Sequence, residues 1–300
     1  MFQYVFDAQR AYFATKVTRT DEWRVQPLDR TARLLHVFSL LLLLTSDLVW
    51  AQMSDEDKRI DAVRALLKSI ETKDQRALRV ISSTQFIQHD ARVPDGRNAF
   101  TAVLLGAARG TTVRTARIFA DGDYVVAQSE YHISRDRVVF DVFRFEEKEI
   151  VEHWDNAQDT CPAPNVSGRT QLDGPTQVLD LAKTDTNRAL MNGYFRDVVL
   201  GGQSARAVGY KSQDLFHQHN CDGVDNPTGL QPKHVFKITT LHKVLGQGNF
   251  VLMMSDGVFE GQPTAFYDLY RMDAGKQVEH WDVLEAIPPS SEWKNANGKF

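Results

Sequence analysis

Three hundred residues, 42% of them hydrophobic and 25% charged, are enough for two modest domains with cores of their own. A formal net charge of −4 argues against nucleic acid as a partner, since such a binder needs a basic face. Glycine-rich phosphate loops, nucleophile elbows and paired Cys-His arrangements are absent from the sequence, which removes those chemistries.

The first fifty residues differ from the rest. Arg33 precedes an apolar run through Leu40 to Leu44, which continues to Val49, Trp50 and Ala51. A basic flank, about a dozen apolar residues and a small residue at the end have the form of a secretory signal. Val49 and Ala51 would stand at −3 and −1 of a cut before Gln52. A membrane anchor that is never cut and a buried helix are the alternatives. Asp47 and the shortness of the run weigh against a full span, which needs about 20 apolar residues. The expectation is a periplasmic or secreted protein with residues 1–51 as an N-terminal extension and no membrane contact after cleavage. Cys161 and Cys221 would then form one disulfide or remain two free thiols.

Beyond the cut, apolar residues at Ile60, Val63, Leu66, Leu67 and Ile70 predict a helix over 54–72, capped by Ser54. A short helix over 75–82 leads into Phe86-Ile87-Gln88-His89. Pro94-Asp95-Gly96 marks a turn, and a third helix is expected over 98–108. Period-two runs then predict strands at 112–120, 123–134, 138–145 and 150–157, with Asp121-Gly122 turning the first hairpin. Residues 161–176, rich in Pro, Gly, Ser and Asn, read as a linker; their Asn165-Val166-Ser167 sequon carries little weight.

The plan then repeats. A helix is expected over 186–199, Phe216-His217-Gln218-His219 answers the earlier element, and strands are expected at 234–244, 249–256, 264–272 and 277–284. From His89 to Asp123 is 34 residues and from His219 to Asn249 is 30, so the second copy's third helix is shorter by about one turn. Each copy ends on the same tetrapeptide, Glu152-His153-Trp154-Asp155 and Glu279-His280-Trp281-Asp282. Helices followed by a meander of strands, twice over, give an α+β protein of two tandem domains: 52–160 and 177–290, with 291–300 as a C-terminal tail.

The motifs Phe86-Ile87-Gln88-His89, Ala120-Asp121-Gly122-Asp123, Asp141-Val142-Phe143-Arg144-Phe145 and Ile150-Val151-Glu152-His153-Trp154-Asp155 resemble successive motifs of the SnoaL-like polyketide cyclases, in the nuclear transport factor 2-like superfamily. The second copy matches at Phe216-His217-Gln218-His219, Asp268-Leu269-Tyr270-Arg271 and Val278-Glu279-His280-Trp281-Asp282. The resemblance covers residues 55–160 and 180–290. It implies cone-shaped α+β-barrel domains, helices wrapped on a curved antiparallel sheet around an apolar pocket. It also implies domains that pair through their sheets, so that one chain would make its own pseudo-dimer. The partner implied is a small, largely apolar molecule, and no cofactor is called for.

Side chains alternate along a strand. Val139, Asp141, Phe143 and Phe145 therefore share a face, as do Phe266, Asp268, Tyr270 and Met272. On the last strands His153 and Asp155 share one face, and Glu152 and Trp154 the other. Asp273-Ala274-Gly275 suits a three-residue turn with Gly275 in the left-handed position, which would set Asp268 opposite His280; the same register sets Asp141 opposite His153. A two-residue loop would instead bring Asp268 opposite Trp281. Arg144 would pair with Glu152 across the other face. The resemblance places the catalytic base at Asp155 and Asp282, with Asp141 and Asp268 at partner positions where the cyclase pattern carries a histidine. It adds His89 and His219 as pocket residues. His153 and His280, or a water, would stabilise an enolate formed next to a carbonyl. His217 and His219 find no third ligand at metal-site spacing, so no metal is expected. The chemistry that the resemblance implies is of cyclase, isomerase or dehydratase type; the rival reading is a binding or dimerisation module in which each Asp–His pair only fixes the sheet.

Overall fold

A computed structural model describes residues 53–225 and 234–300 of the chain, and Ser54–Phe300 form one compact unit. The signal-like segment before Gln52 and the place of the second copy's shortened third helix lie outside the described residues.

Helix α1 (Asp55–Thr72) starts where the Ser54 side chain accepts from the Asp57 N–H at 3.1 Å. Asp55, Glu56 and Asp57 suit its positive N-terminal end. It buries Val63, Leu66 and Leu67, and closes at Lys73, whose φ of 59° is left-handed. The next turn is a 3₁₀ helix over Gln75–Val80, shorter than the helix expected there, because Ile81 goes extended to bridge Ile150. Then come β1 (Ile87–Gln88), α2 (Arg97–Gly106), β2 (Thr112–Asp121), β3 (Tyr124–His132), β4 (Asp136–Glu146) and β5 (Glu149–Asp159).

The second copy opens with α3 (Thr184–Tyr194), which widens into a π-helical turn over Phe195–Leu200 where a continuous α-helix was expected. That turn keeps Phe195 and Val198 buried. A four-residue helix, α4 (Ala207–Tyr210), precedes β6 (His217–Gln218), β7 (Phe236–Gln247), β8 (Phe250–Phe259), β9 (Gln262–Asp273) and β10 (Lys276–Ala286).

The two sheets have the same order, β1-β5-β4-β3-β2 and β6-β10-β9-β8-β7. A curved antiparallel sheet was expected in each copy, but neither sheet is purely antiparallel. The short first strand of each runs parallel to the last, since the Gln-His element arrives from the helices and rises beside that strand. One face of each sheet lies under its helices, with Val63, Leu66, Phe100 and Phe143 in one core and Met191, Tyr194, Val251 and Tyr270 in the other. The other faces meet in a third core, where Phe140, Val142 and Trp154 pack with Leu252, Tyr267 and Trp281. Central strands are therefore buried on both sides, and 138–145 is nearly all apolar for that reason.

The meeting is reciprocal. Arg117 of the first copy lies 4.0 Å over the Trp281 ring, and Lys243 of the second lies 4.3 Å over Trp154. The far side of each indole is taken by a histidine of its own copy: His89 stacks on Trp154 at 4.7 Å and His219 on Trp281 at 4.6 Å. Each tryptophan is thus held between a histidine and a cation from the other copy.

The stretches read as linker and tail turn out to be equivalent straps. Asn165 and Asn295 each accept from the backbone N–H two residues on, at 3.0 and 3.1 Å. Their amide groups donate to carbonyls around the Gln-His elements, Asn165 to Gln218 and Asn220, Asn295 to Asp90 and Val93. Gly168 and Gly298, three residues on, both have φ near 80° (76° and 80°). Cys161 is disulfide-bonded to Cys221, tying the first strap to the loop after β6.

Candidate active site

The register differs from that expected and the face does not. Across β9 and β10 Asp273 pairs with Lys276, so the loop holds two residues, Ala274 and Gly275, both at positive φ. Such a loop alone would set Asp268 against Trp281. A bulge between Gln277 and Glu279 adds one residue and restores the parity, so Asp268 faces Asp282 and His280 faces Tyr270. The first copy does the same with an irregularity at Arg144 and Phe145: Asp141 faces Asp155, and Arg144 faces Glu152 with Nε 2.6 Å from Oε2. Each Asp–His pair is consequently diagonal.

Both pairs form. His153 Nε2 lies 3.1 Å from Asp141 Oδ1, and His280 Nε2 lies 2.8 Å from Asp268 Oδ1. The opposite ring nitrogen meets a residue that sequence reasoning missed: Nδ1 lies 3.0 Å from Gln88 Oε1 in the first copy and 2.8 Å from Gln218 Oε1 in the second. The signal was the parallel pairing of Gln88 with His153, and of Gln218 with His280. Alternation then turns the neighbouring histidines away. His89 and His219 do not line the cones; they sit against the tryptophans on the face between the sheets. His89 Nε2 reaches Glu152 at 2.9 Å and Nδ1 the Gly298 carbonyl at 2.9 Å. His219 Nε2 reaches Glu279 at 3.1 Å and Nδ1 the Thr170 carbonyl at 2.9 Å.

The two cones diverge around this shared core. In the first, Tyr131 donates to Asp141 Oδ2 at 2.8 Å, so both carboxylate oxygens are used, and Phe100 covers His153 edge-on at 5.7 Å. Pairing puts Gly257 at the position of Tyr131, and a Cβ there would lie 2.2 Å from the Lys237 carbonyl. Asp268 accordingly keeps one oxygen without a hydrogen bond among the described residues, and its side chain is 16% exposed against 7% for Asp141. Tyr270 replaces Phe143 against the histidine ring, and Ser255, equivalent to Ser129, has a buried hydroxyl with no partner among the described residues where Ser129 donates to Thr115. The second cone is the more polar and the less satisfied.

Asp155 and Asp282 complete the two sites. Burial pushes the Asp155 carboxyl up to about 7, with the Asp90 charge adding to the rise and Lys299 opposing it. Its Oδ1 has no hydrogen bond among the described residues, and Lys299 Nζ stands 3.8 Å away. Burial also raises Asp282, against the pull of His280 and of Asn220, which donates to it at 3.0 Å. A carboxyl whose ionisation is opposed by burial holds a proton more readily than an exposed one, as an acid–base group must. Asp268, His280 and Asp282 also bring three donor atoms within 4.8 Å of one another. Both His280 nitrogens are already bonded, to Asp268 and Gln218, so a cation there would have to displace one of them. A separate cleft of about 440 Å³ lies between the ends of β5 and β10, where Arg92 pairs with Glu285, and Arg135 and Arg137 pair with Asp159.

No family model matches the chain, and no curated protein matches it. Among solved structures it is similar to TsrD from Streptomyces laurentii, at 15% identity over 35% of this chain and 92% of that one, with a TM-score of 0.32. It is similar also to an LEH-like epoxide hydrolase of M. tuberculosis, at 20% identity over 35% of this chain and 86% of that one, with a TM-score of 0.31. A third is an NTF-2 like protein of unknown function from Burkholderia xenovorans, at 15% identity over 36% of this chain and 88% of that one, with a TM-score of 0.32. Each spans about a third of the chain, the length of one copy. The architecture is α+β, and its neighbours among solved structures are NTF2-like folds and polyketide-cyclase-type proteins.

Proposed function

We propose that this is an exported protein whose second cone binds a small, largely apolar molecule and acts on it by acid–base chemistry of cyclase, isomerase or dehydratase type. The observation that carries the reading is the buried carboxyl of Asp282 beside a histidine fixed at both nitrogens, in a cone that lacks the tyrosine cap of its twin. Asp282 would take a proton from the carbon next to a carbonyl, and the enolate oxygen would displace Gln218 from the His280 ring to receive its N–H, while Asp268 keeps hold of the other nitrogen. In the first cone Tyr131 satisfies Asp141, which favours a non-catalytic role there.

A ligand screen by thermal shift tests this on wild type, Asp282→Asn and Asp155→Asn. Hits are expected to raise the wild-type Tm, to lose most of that shift in Asp282→Asn, and to keep it in Asp155→Asn. If all three proteins bind every hit equally and no hit is turned over, the catalytic reading fails.

Export rests on the apolar segment ending at Ala51 and agrees with the Cys161–Cys221 disulfide, a bond favoured in oxidising compartments. The protein recovered outside the cytoplasm should begin at Gln52 by intact mass and contain no free thiol. A full-length, reduced chain in the cytosol would overturn it.

A further inference from the structure

At the head of each cone the residue after the last short helical turn bridges the start of the final strand, Ile81 to Ile150 in the first copy and Lys211 to Gln277 in the second. The isoleucines are fully buried, as an apolar core requires. Their counterparts are a lysine only 4% exposed and a glutamine with no exposure at all. Gln277 faces the second cone, since it pairs with Met272 and its amide nitrogen lies 3.3 Å from the Met191 sulfur, but its Oε1 has no partner among the described residues. Lys211 makes no ion pair or hydrogen bond through its amine among the described residues; the amine sits 4.4 Å over the ring of Phe216, itself buried. Burying a cation without an anion and an amide oxygen without a donor is unfavourable. Nothing in the fold asks for it, because the first copy fills the same two places with isoleucine.

We infer that Lys211 and Gln277 form a polar subsite of the second cone that receives the carboxylate, or an equivalent anionic oxygen, of an otherwise apolar ligand. This rests on the second cone being a small-molecule site, and it adds the ligand's charge. The ammonium supplies the missing counter-charge, the Gln277 oxygen accepts from a hydroxyl or amide of the ligand, and Phe216 gives the apolar wall. Burial draws the lysine down to about 8, and an anion beside the ammonium would oppose that fall.

The test compares 2-naphthoate with 2-naphthamide, which match in shape and differ in charge, on wild type and on Lys211→Ile/Gln277→Ile, the pair that copies the first cone. Affinity is measured by calorimetry at pH 7, and entry into the cone by perturbation of the His280 ring signals in NMR. The wild type should bind the acid at least about tenfold more tightly than the amide, which is 1.4 kcal/mol. The double variant should lose that preference and melt a few degrees higher, because an uncompensated polar pair is gone. A variant that melts lower than wild type, or that keeps the preference for the acid, overturns the inference. Equal affinities in wild type with His280 perturbed by both compounds overturn the inference and leave the cone a binding site. If neither compound perturbs His280 at millimolar concentration, the inference and the reading of the second cone fall together.

Discussion

Trp281→Ala is expected to destabilise the fold by about 3–5 kcal/mol, measured as the free energy of urea unfolding at pH 7. The indole is 1% exposed, in the core where the two sheets meet. Its removal opens a cavity that β-sheet backbones on both sides cannot collapse to fill. It also removes the ring under Arg117, a guanidinium that burial draws down to about 10 and that otherwise leans on Gln128 and the carbonyls of Leu172, Asp173 and Pro175. Trp281 Nε1 further donates to the Asp173 carbonyl at 3.1 Å, while Trp154 Nε1 has no partner among the described residues. Trp154→Ala should therefore cost less than Trp281→Ala, by about 1 kcal/mol for the lost hydrogen bond. A cost below about 1.5 kcal/mol for Trp281→Ala, or the reverse order, would show that the sheet–sheet core does not depend on these sandwiches.

The duplication and most element positions were legible because they rest on local pattern: the capped 3.6-period of α1, the apolar strands, the Asp-Gly hairpin, the doubled tetrapeptide. The register was not, since it depended on an extra residue whose presence is a property of the folded ribbon. A two-residue turn flips every side chain and a bulge flips it back, so the expected face was reached although the expected pairs were not. Gln88 and His89 show the same limit at smaller scale. A two-residue strand has no period to read, and only its parallel pairing with β5 reveals that the glutamine, and not the histidine, enters the cone. The straps were hidden for a different reason. Proline and glycine mark irregular backbone, and irregular backbone can be as closely bonded as a strand. Asn165 and Asn295 each donate two hydrogen bonds to the chain that they hold, besides those that they accept within the strap.

The largest differences between the copies lie where the sequence pattern is weakest. Tyr131 against Gly257, Ile81 against Lys211 and Ile150 against Gln277 are single substitutions inside otherwise matching elements. Each exchanges an apolar or satisfied group for space or an unpaired polar atom, and all three fall in the second cone. A duplicated fold whose stability is shared through one sheet–sheet core can keep one cone closed and spend the other on binding, since either copy's losses are borne by the common interface.

Asp155 gives the most direct measurement of the chemistry held inside a cone. Its carboxyl titrates near 7 in the folded chain, against a value of 3.8 for the exposed side chain. The folded state thus binds this proton more tightly than the unfolded state does. The group's favourable contribution is complete below about pH 4 and is lost as the pH rises through about 7. Asparagine cannot ionise, so Asp155→Asn should gain on the wild type as the pH rises. Of the roughly three-unit shift, about two units act between pH 5 and pH 8, which makes the gain about 3 kcal/mol over that interval. Asp282→Asn should change in the same direction, since burial raises that carboxyl too. Urea unfolding of each variant and the wild type at pH 5, 6, 7 and 8 would follow the difference. A gain that is flat across the four points, or that shrinks towards pH 8, would mean that the carboxyl is already ionised at pH 5, and with it would go the case for a proton acceptor poised near neutrality in this fold.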